Sequence, residues 1–158
     1  MAIFFKFGVL DGEVTATGYE KWAEAQSLHF GVGRGISVGS GGGSKREASA
    51  PSLSEFTITK TMDVIDQLML KEAIGGHSRW MKVHITQTDG KGKHVAFQKY
   101  SLQRVLISSY SLSSGGARPM ISASFSYAAI DSEYLNIDDK FNSTSTGHVT
   151  YDITKADV

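Results

Sequence analysis

A chain of 158 residues, 41% hydrophobic and 20% charged, has the size and composition of one folded domain spanning 1–158, which excludes a disordered or collagen-like chain. Sixteen basic and sixteen acidic side chains cancel, so the electrostatic footprint of nucleic-acid binding is absent and no such partner is expected. There is no cysteine, which removes disulfide frameworks and thiolate metal sites. The first ten residues lack a basic n-region and a long apolar stretch, and apolar runs fall far short of the ~20 residues of a membrane helix; a soluble chain without an ordinary signal peptide or membrane insertion is expected.

Most of the chain reads as strands. Ala2 to Val9 opens with Phe5, Phe7 and Val9 on one face at period two. A turn-rich piece leads to Trp22 to Phe30, where Trp22, Leu28 and Phe30 share a parity that Glu24 and Gln26 blur. Residues 31–50 then carry seven of the seventeen glycines and four serines, a composition that favours a long extended loop. A compact domain keeps such a loop for binding.

Beyond Pro51, Glu55 to Lys60 alternates as a strand, and Thr61 or Asp63 offers a helix cap. Met62, Ile65, Met69 and Ala73 recur at helical spacing, widened by Val64 and Leu68, with Asp63, Asp66, Gln67 and Lys71 opposite. The spacing predicts one flanking helix over about 62–74, ended by Gly75-Gly76. Trp80 to Thr88 alternates, Asp89-Gly90 turns the chain, and Lys93 to Tyr100 returns antiparallel. Further strands are expected at about Arg104 to Ser113, Met120 to Asp131 and His148 to Thr154, with a polar tract over Asn136 to Gly147 before the last. The sum is a mainly β fold, an antiparallel barrel or two-sheet sandwich with one helix.

Motifs for chemistry are weak. Gly35-Ile-Ser37-Val-Gly39 fits the nucleophile-elbow pattern, but a triglycine follows it where a helix is needed, leaving a serine hydrolase using Ser37 as a distant alternative. No phosphate-loop or dinucleotide fingerprint is present. The five histidines, His29, His77, His84, His94 and His148, show no metal-ligand spacing, although His84 and His94 lie on the two strands of one expected hairpin. No catalytic residue, cofactor or metal is expected. The aromatic residues, 10% of the chain, fill a core or, as a second reading, line a small-ligand pocket in a β-barrel module.

The block Ala48-Ser-Ala-Pro51-Ser-Leu-Ser-Glu55-Phe-Thr-Ile-Thr-Lys60-Thr-Met-Asp63, between a glycine-rich loop and an apolar helix, resembles the Hcp family, the haemolysin-coregulated proteins of type VI secretion. Tyr100 to Ser111 and Ser124 to Asp131 are similar to that family's paired C-terminal strands. The resemblance implies a tight β-barrel with a flanking helix, hexameric rings stacking into the inner tube of a contractile injection machine, and no enzymatic activity. It further implies a cytoplasmic protein during assembly, secreted without a cleaved signal peptide. Its partners would be its own copies, sheath and tip proteins, and effectors carried in the ring lumen. The family's loop reaches a neighbouring ring, so Arg34, Gly35, Ser44, Lys45, Arg46 and Glu47 would form a ring–ring interface. Since Arg34, Lys45 and Arg46 outnumber Glu47, Glu133, Asp138 and Asp139 are the expected acidic counterpart on the next ring.

Overall fold

The computed structural model describes residues 1–39, 46–156 and 158. Two antiparallel sheets enclose one apolar core. The first holds β1 (Ala2–Phe7), β2 (Ala23–Ala25), β9 (Arg79–Thr88), the first half of β10 (His94–Ser113), β12 (Ala129–Ile137) and β13 (Ser143–Asp152). The second holds β3 (Ser27–His29), β8 (Phe56–Thr61), β11 (Met120–Ser126) and the second half of β10. The expected strands at Lys93–Tyr100 and Arg104–Ser113 are thus one strand. Against β9 its register slips between Leu102 and Val105, and Arg104 has φ 51°. That irregularity turns β10 from one sheet into the other, the usual way a strand makes a corner.

The opposite flank is built similarly. Residues 23–25 pair with β1, and after Gln26 residues 27–29 pair with β8. The change of partner shifts the inward parity, correcting the expectation for this segment: Ala23 and Ala25 face the core, Leu28 and Phe30 pack at its edge, and Trp22 lies outside on Tyr19 and His84. The hydrogen-bonded path stays open between β2 and β3, so of the two expected architectures the molecule is sandwich-like and not a closed barrel.

Inward positions follow period two. Phe5 and Phe7 on β1, Phe56 and Ile58 on β8, Met81 and Val83 on β9, and Ile121, Ala123 and Phe125 on β11 are all buried. Val9 is 71% exposed because β1 ends at Phe7 and the chain turns at Gly8. The expected strand over Met120 to Asp131 is broken at Tyr127-Ala128, where β11 passes to β12 and the chain changes sheets. The polar tract contributes to β12 and β13, because a strand face turned to solvent takes Ser and Thr readily.

The one helix among the described residues, α1 (Ile65–Gly75), starts later than expected. Asp63 accepts the Ile65 N–H at 3.0 Å, and Glu13, from a distant loop, accepts the Val64 N–H at 3.2 Å. These carboxylates meet orphan donors where the helix's positive end also favours them. Gly76 ends the helix in the left-handed region, φ 68°, its N–H bonded to the Glu72 carbonyl. The inward face differs from the expected stripe. Ile65 and Met69 are buried, but so are Asp66 and Glu72, while Val64 and Leu68 are exposed. Countercharges explain this. Lys60, the third inward residue of β8, is 1% exposed and donates to Asp66 Oδ2 at 2.6 Å and Asp63 Oδ1 at 3.0 Å. Arg79, opening β9, donates to Glu72 Oε1 at 3.0 Å. A buried charge without such a partner costs several kcal/mol.

Candidate assembly interface

Between β3 and β8 the chain leaves the body as an arm. Its root is β4 (Val32–Gly33) paired with β7 (Ser52–Leu53), its outer part β5 (Ile36–Val38) paired with β6 (Arg46–Ala48). Among its described residues the expected loop thus carries short antiparallel ladders. Period-two alternation in Ile36-Ser37-Val38 is the signal of the outer one, hidden by the surrounding glycines.

The root is fastened to the core. Phe30 stacks on Phe56 with ring centroids 4.7 Å apart. Tyr127 Oη donates to the Ser54 carbonyl at 2.8 Å, and burial pushes that phenol up to about 12. Ser54 also closes the root: its N–H donates to the Gly31 carbonyl and its Oγ accepts the Gly31 N–H, both at 2.8 Å. Farther out, Ser49 joins root to ribbon. Its Oγ accepts the Gly35 N–H at 2.9 Å and its carbonyl accepts Arg34 Nε at 2.5 Å. A Cβ at Gly35 would lie 2.9 Å from that Oγ, so a larger residue here would push the Ser49 hydroxyl off its bond to the residue 35 N–H.

Directly opposed residues share a ribbon face. The register Ile36↔Ala48, Ser37↔Glu47, Val38↔Arg46 therefore gives one face of Ile36, Val38, Ala48 and Arg46, and another of Ser37 and Glu47. All six are exposed, Ile36 at 63% and Val38 at 69%. An isolated two-stranded ribbon is marginal in water, and this one presents an uncovered apolar face.

Of the residues expected to form the interface, Arg34, Gly35, Arg46 and Glu47 lie on the arm, whereas Ser44 and Lys45 fall outside the described residues. The acids expected opposite them stand elsewhere. Glu133 on β12 lies 3.6 Å from His148 Nε2, whose Nδ1 meets Asp131 at 2.9 Å. The Asp131 carboxylate holds the exposed His148 imidazole above its ordinary value. Asp138 closes the turn after β12, accepting the N–H groups of Asn142 and Lys140, which hold its carboxyl below the usual carboxylate range; Asp139 is exposed in the same turn. Among the described residues no ion pair joins these acids to the arm.

Ser37 sits in mid-strand with its Oγ 3.5 Å from the Glu47 carbonyl, not on the sharp strand-to-helix turn a nucleophile needs. The histidines are spread over the molecule. In the β9–β10 register His84 opposes Lys99 and His94 opposes Thr88, so the two are not cross-strand partners. His84 is bonded to Tyr19 Oη at 3.1 Å, and burial, with Lys99 and Lys82 nearby, lowers it to about 4. Phe5, Phe7, Phe56 and Phe125 are fully buried and fill the core.

Sequence reasoning missed a cleft at the other end of β8. Thr61, Met62 and Asp63 form one wall and the loop Glu13 to Ala16 the other, with Phe4 and Glu24 between them and a volume of about 540 Å³. Its parts come from separated stretches, so only the fold assembles them.

Comparisons with known proteins bear on the family and the fold. The family model described as "Type VI secretion system effector, Hcp" matches residues 4–134. No protein of curated function matches the chain. Among solved structures, one described as a type six secretion system protein is 22% identical, with TM-score 0.87, covering 98% of this chain and 97% of that one. Hcp1 from Salmonella typhimurium is 14% identical at TM-score 0.75, covering 98% of this chain and 95% of that one. A type VI secretion system effector from Yersinia pestis is 14% identical at TM-score 0.66, covering 95% and 98%. At these identities the structures show a shared fold.

Proposed function

This chain belongs to the Hcp family of type VI secretion system effectors, and on that premise we propose that its copies close into hexameric rings that stack, through the arm, into the inner tube of the secretion machine. It is a tube or effector protein of that system. The observation that carries the stacked-ring reading is the ribbon at residues 36–38 and 46–48, whose apolar face is left open to solvent. Such a face is unfavourable in water and becomes favourable once a neighbour covers it. A head-to-tail contact that does not close on itself propagates as a filament, which is what a tube requires.

In this reading the chain works by assembly and not by catalysis. A filled core and an arm built from backbone ladders supply rigidity and reach, and Ser37 serves the ribbon. The protein assembles in the bacterial cytoplasm and leaves the cell with the effectors its ring lumen carries, meeting sheath and tip proteins on the way. Among the described residues no helix is long and apolar enough to cross a membrane. Arg34 and Arg46 add charge to the contact with the next ring, which calls for an acidic counterpart there; the sequence offers Glu133, Asp138 and Asp139 as candidates.

The test is the assembly state of the purified chain. A ring elutes in gel filtration at several times the 17.1 kDa of one chain and shows a hollow annulus by negative stain. A monomer at all concentrations overturns the proposal.

A further inference from the structure

The arm presents a particular chemistry to whatever covers it: two exposed aliphatic side chains, Ile36 and Val38, with the Arg46 guanidinium on the same face. The covering surface must be concave to accept a ribbon edge, apolar at its floor and acidic at its rim. The cleft at the far end of β8 meets all three requirements. Val14, Ala16 and Met62 supply apolar surface over the buried Phe4 ring, while Glu13 and Glu24 supply carboxylates. Glu13 is anchored by the Val64 N–H, and Glu24 is exposed on β2 with no ion pair among the described residues. The one arginine lining the cleft, Arg118, gives its Nε to the Met62 carbonyl at 2.9 Å.

The placement of the two surfaces adds a geometric argument. Strand β8 begins at Phe56, beside the arm's root, and ends at Thr61, in the cleft wall. Five steps of about 3.3 Å separate Phe56 from Thr61 by roughly 17 Å along the strand. Strands β2 and β3 repeat the relation, with Glu24 toward the cleft and His29 toward the arm. Donor and acceptor thus sit at opposite ends of the body. When one end of a copy fits the other end of the next, the contact is heterologous and repeats without limit.

We propose that this cleft is the seat of the arm of a second copy in the adjacent ring, with Ile36 and Val38 against Val14 and Met62, and Arg46 against Glu24. The inference rests on the stacked-ring reading and replaces Glu133, Asp138 and Asp139 as the acidic counterpart. Those three are committed to a histidine pair and a turn or exposed beside it, whereas Glu24 borders a cavity of the right shape. The contact combines an apolar centre with a rim charge pair, the usual anatomy of a specific interface.

Charge reversal and cross-linking test it together. Arg46→Glu and Glu24→Lys each retain the ring mass in gel filtration but lower the yield of sedimentable tubes by about tenfold, and the double variant recovers most of it, because the swapped pair is again complementary. The chain has no cysteine, so mixing a Val38→Cys chain with a Thr15→Cys chain under oxidising conditions yields a single cross-linked product, the dimer of the two. Tubes that form normally from both reversed variants, or that form without the cross-link, overturn the cleft as the seat while leaving ring assembly standing. An unmodified chain that forms no ring overturns both readings.

Discussion

The body and the arm obey opposite rules of stability. In the body, Phe5, Phe7, Phe56 and Phe125 are entirely buried, and the charges that enter the interior, Lys60, Asp66 and Glu72, meet partners there. In the arm, the ribbon's described residues are all exposed and its cohesion comes from a short backbone ladder and the Ser49 contacts. A buried region is specified by its own chain, whereas an exposed apolar ribbon is specified by a partner. Substitutions should therefore act on folding in one region and on assembly in the other.

The strongest break of this contrast is Asp66→Ala. It leaves the Lys60 ammonium buried with only Asp63 and a carbonyl as partners, and should cost about 3–5 kcal/mol in chemical denaturation, with ring and tube lost together. A stability change below about 1 kcal/mol would show that the buried pair does not hold α1 to β8. Glu72 comes next. The Arg79 guanidinium holds its carboxyl below the ordinary value of 4.5, so the bond's contribution is fully present above that value and is lost as pH falls through the lower folded value. Glu72→Gln should cost about 1–3 kcal/mol at neutral pH, and its stability should decline less steeply than the native chain's in acid denaturation. The smallest effect on folding belongs to the arm. Ile36→Ser combined with Val38→Ser should shift the free subunit's stability by about 0.5 kcal/mol or less per site and still abolish stacking, read by sedimentation against gel filtration. If that double variant unfolds the body, the arm is part of the core and the comparison fails.

Much of this was legible in the order of residues. Period-two alternation marked most strands, the helical stripe of Ile65 and Met69 marked α1, and Gly75-Gly76 marked its end. The block from Ala48 to Asp63 carried the family resemblance that the match over residues 4–134 established. The misreadings share one cause. At Gln26 and at Arg104 a strand changes sheets, which resets its inward parity, and at Asp66 a partner from another strand makes a charged residue an interior one. None of these depends on nearest neighbours along the chain.

The candidate site divides in the same way. That residues 31–50 are set apart from the body was legible in their composition, seven glycines and four serines, and that they serve contact is the proposal made above. Their charges, Arg34 and Arg46, were also visible. By itself the sequence determined the fold class, the family and the segment that reaches outward, since alternation, helical spacing and local composition are short-range properties. Only the tertiary structure decided which face of the arm is apolar, because cross-strand register sets that face. It alone also brought Phe4, Glu13, Glu24 and Met62 to one cleft at the opposite end of β8, since side chains far apart in sequence acquire a common surface only when strands pair.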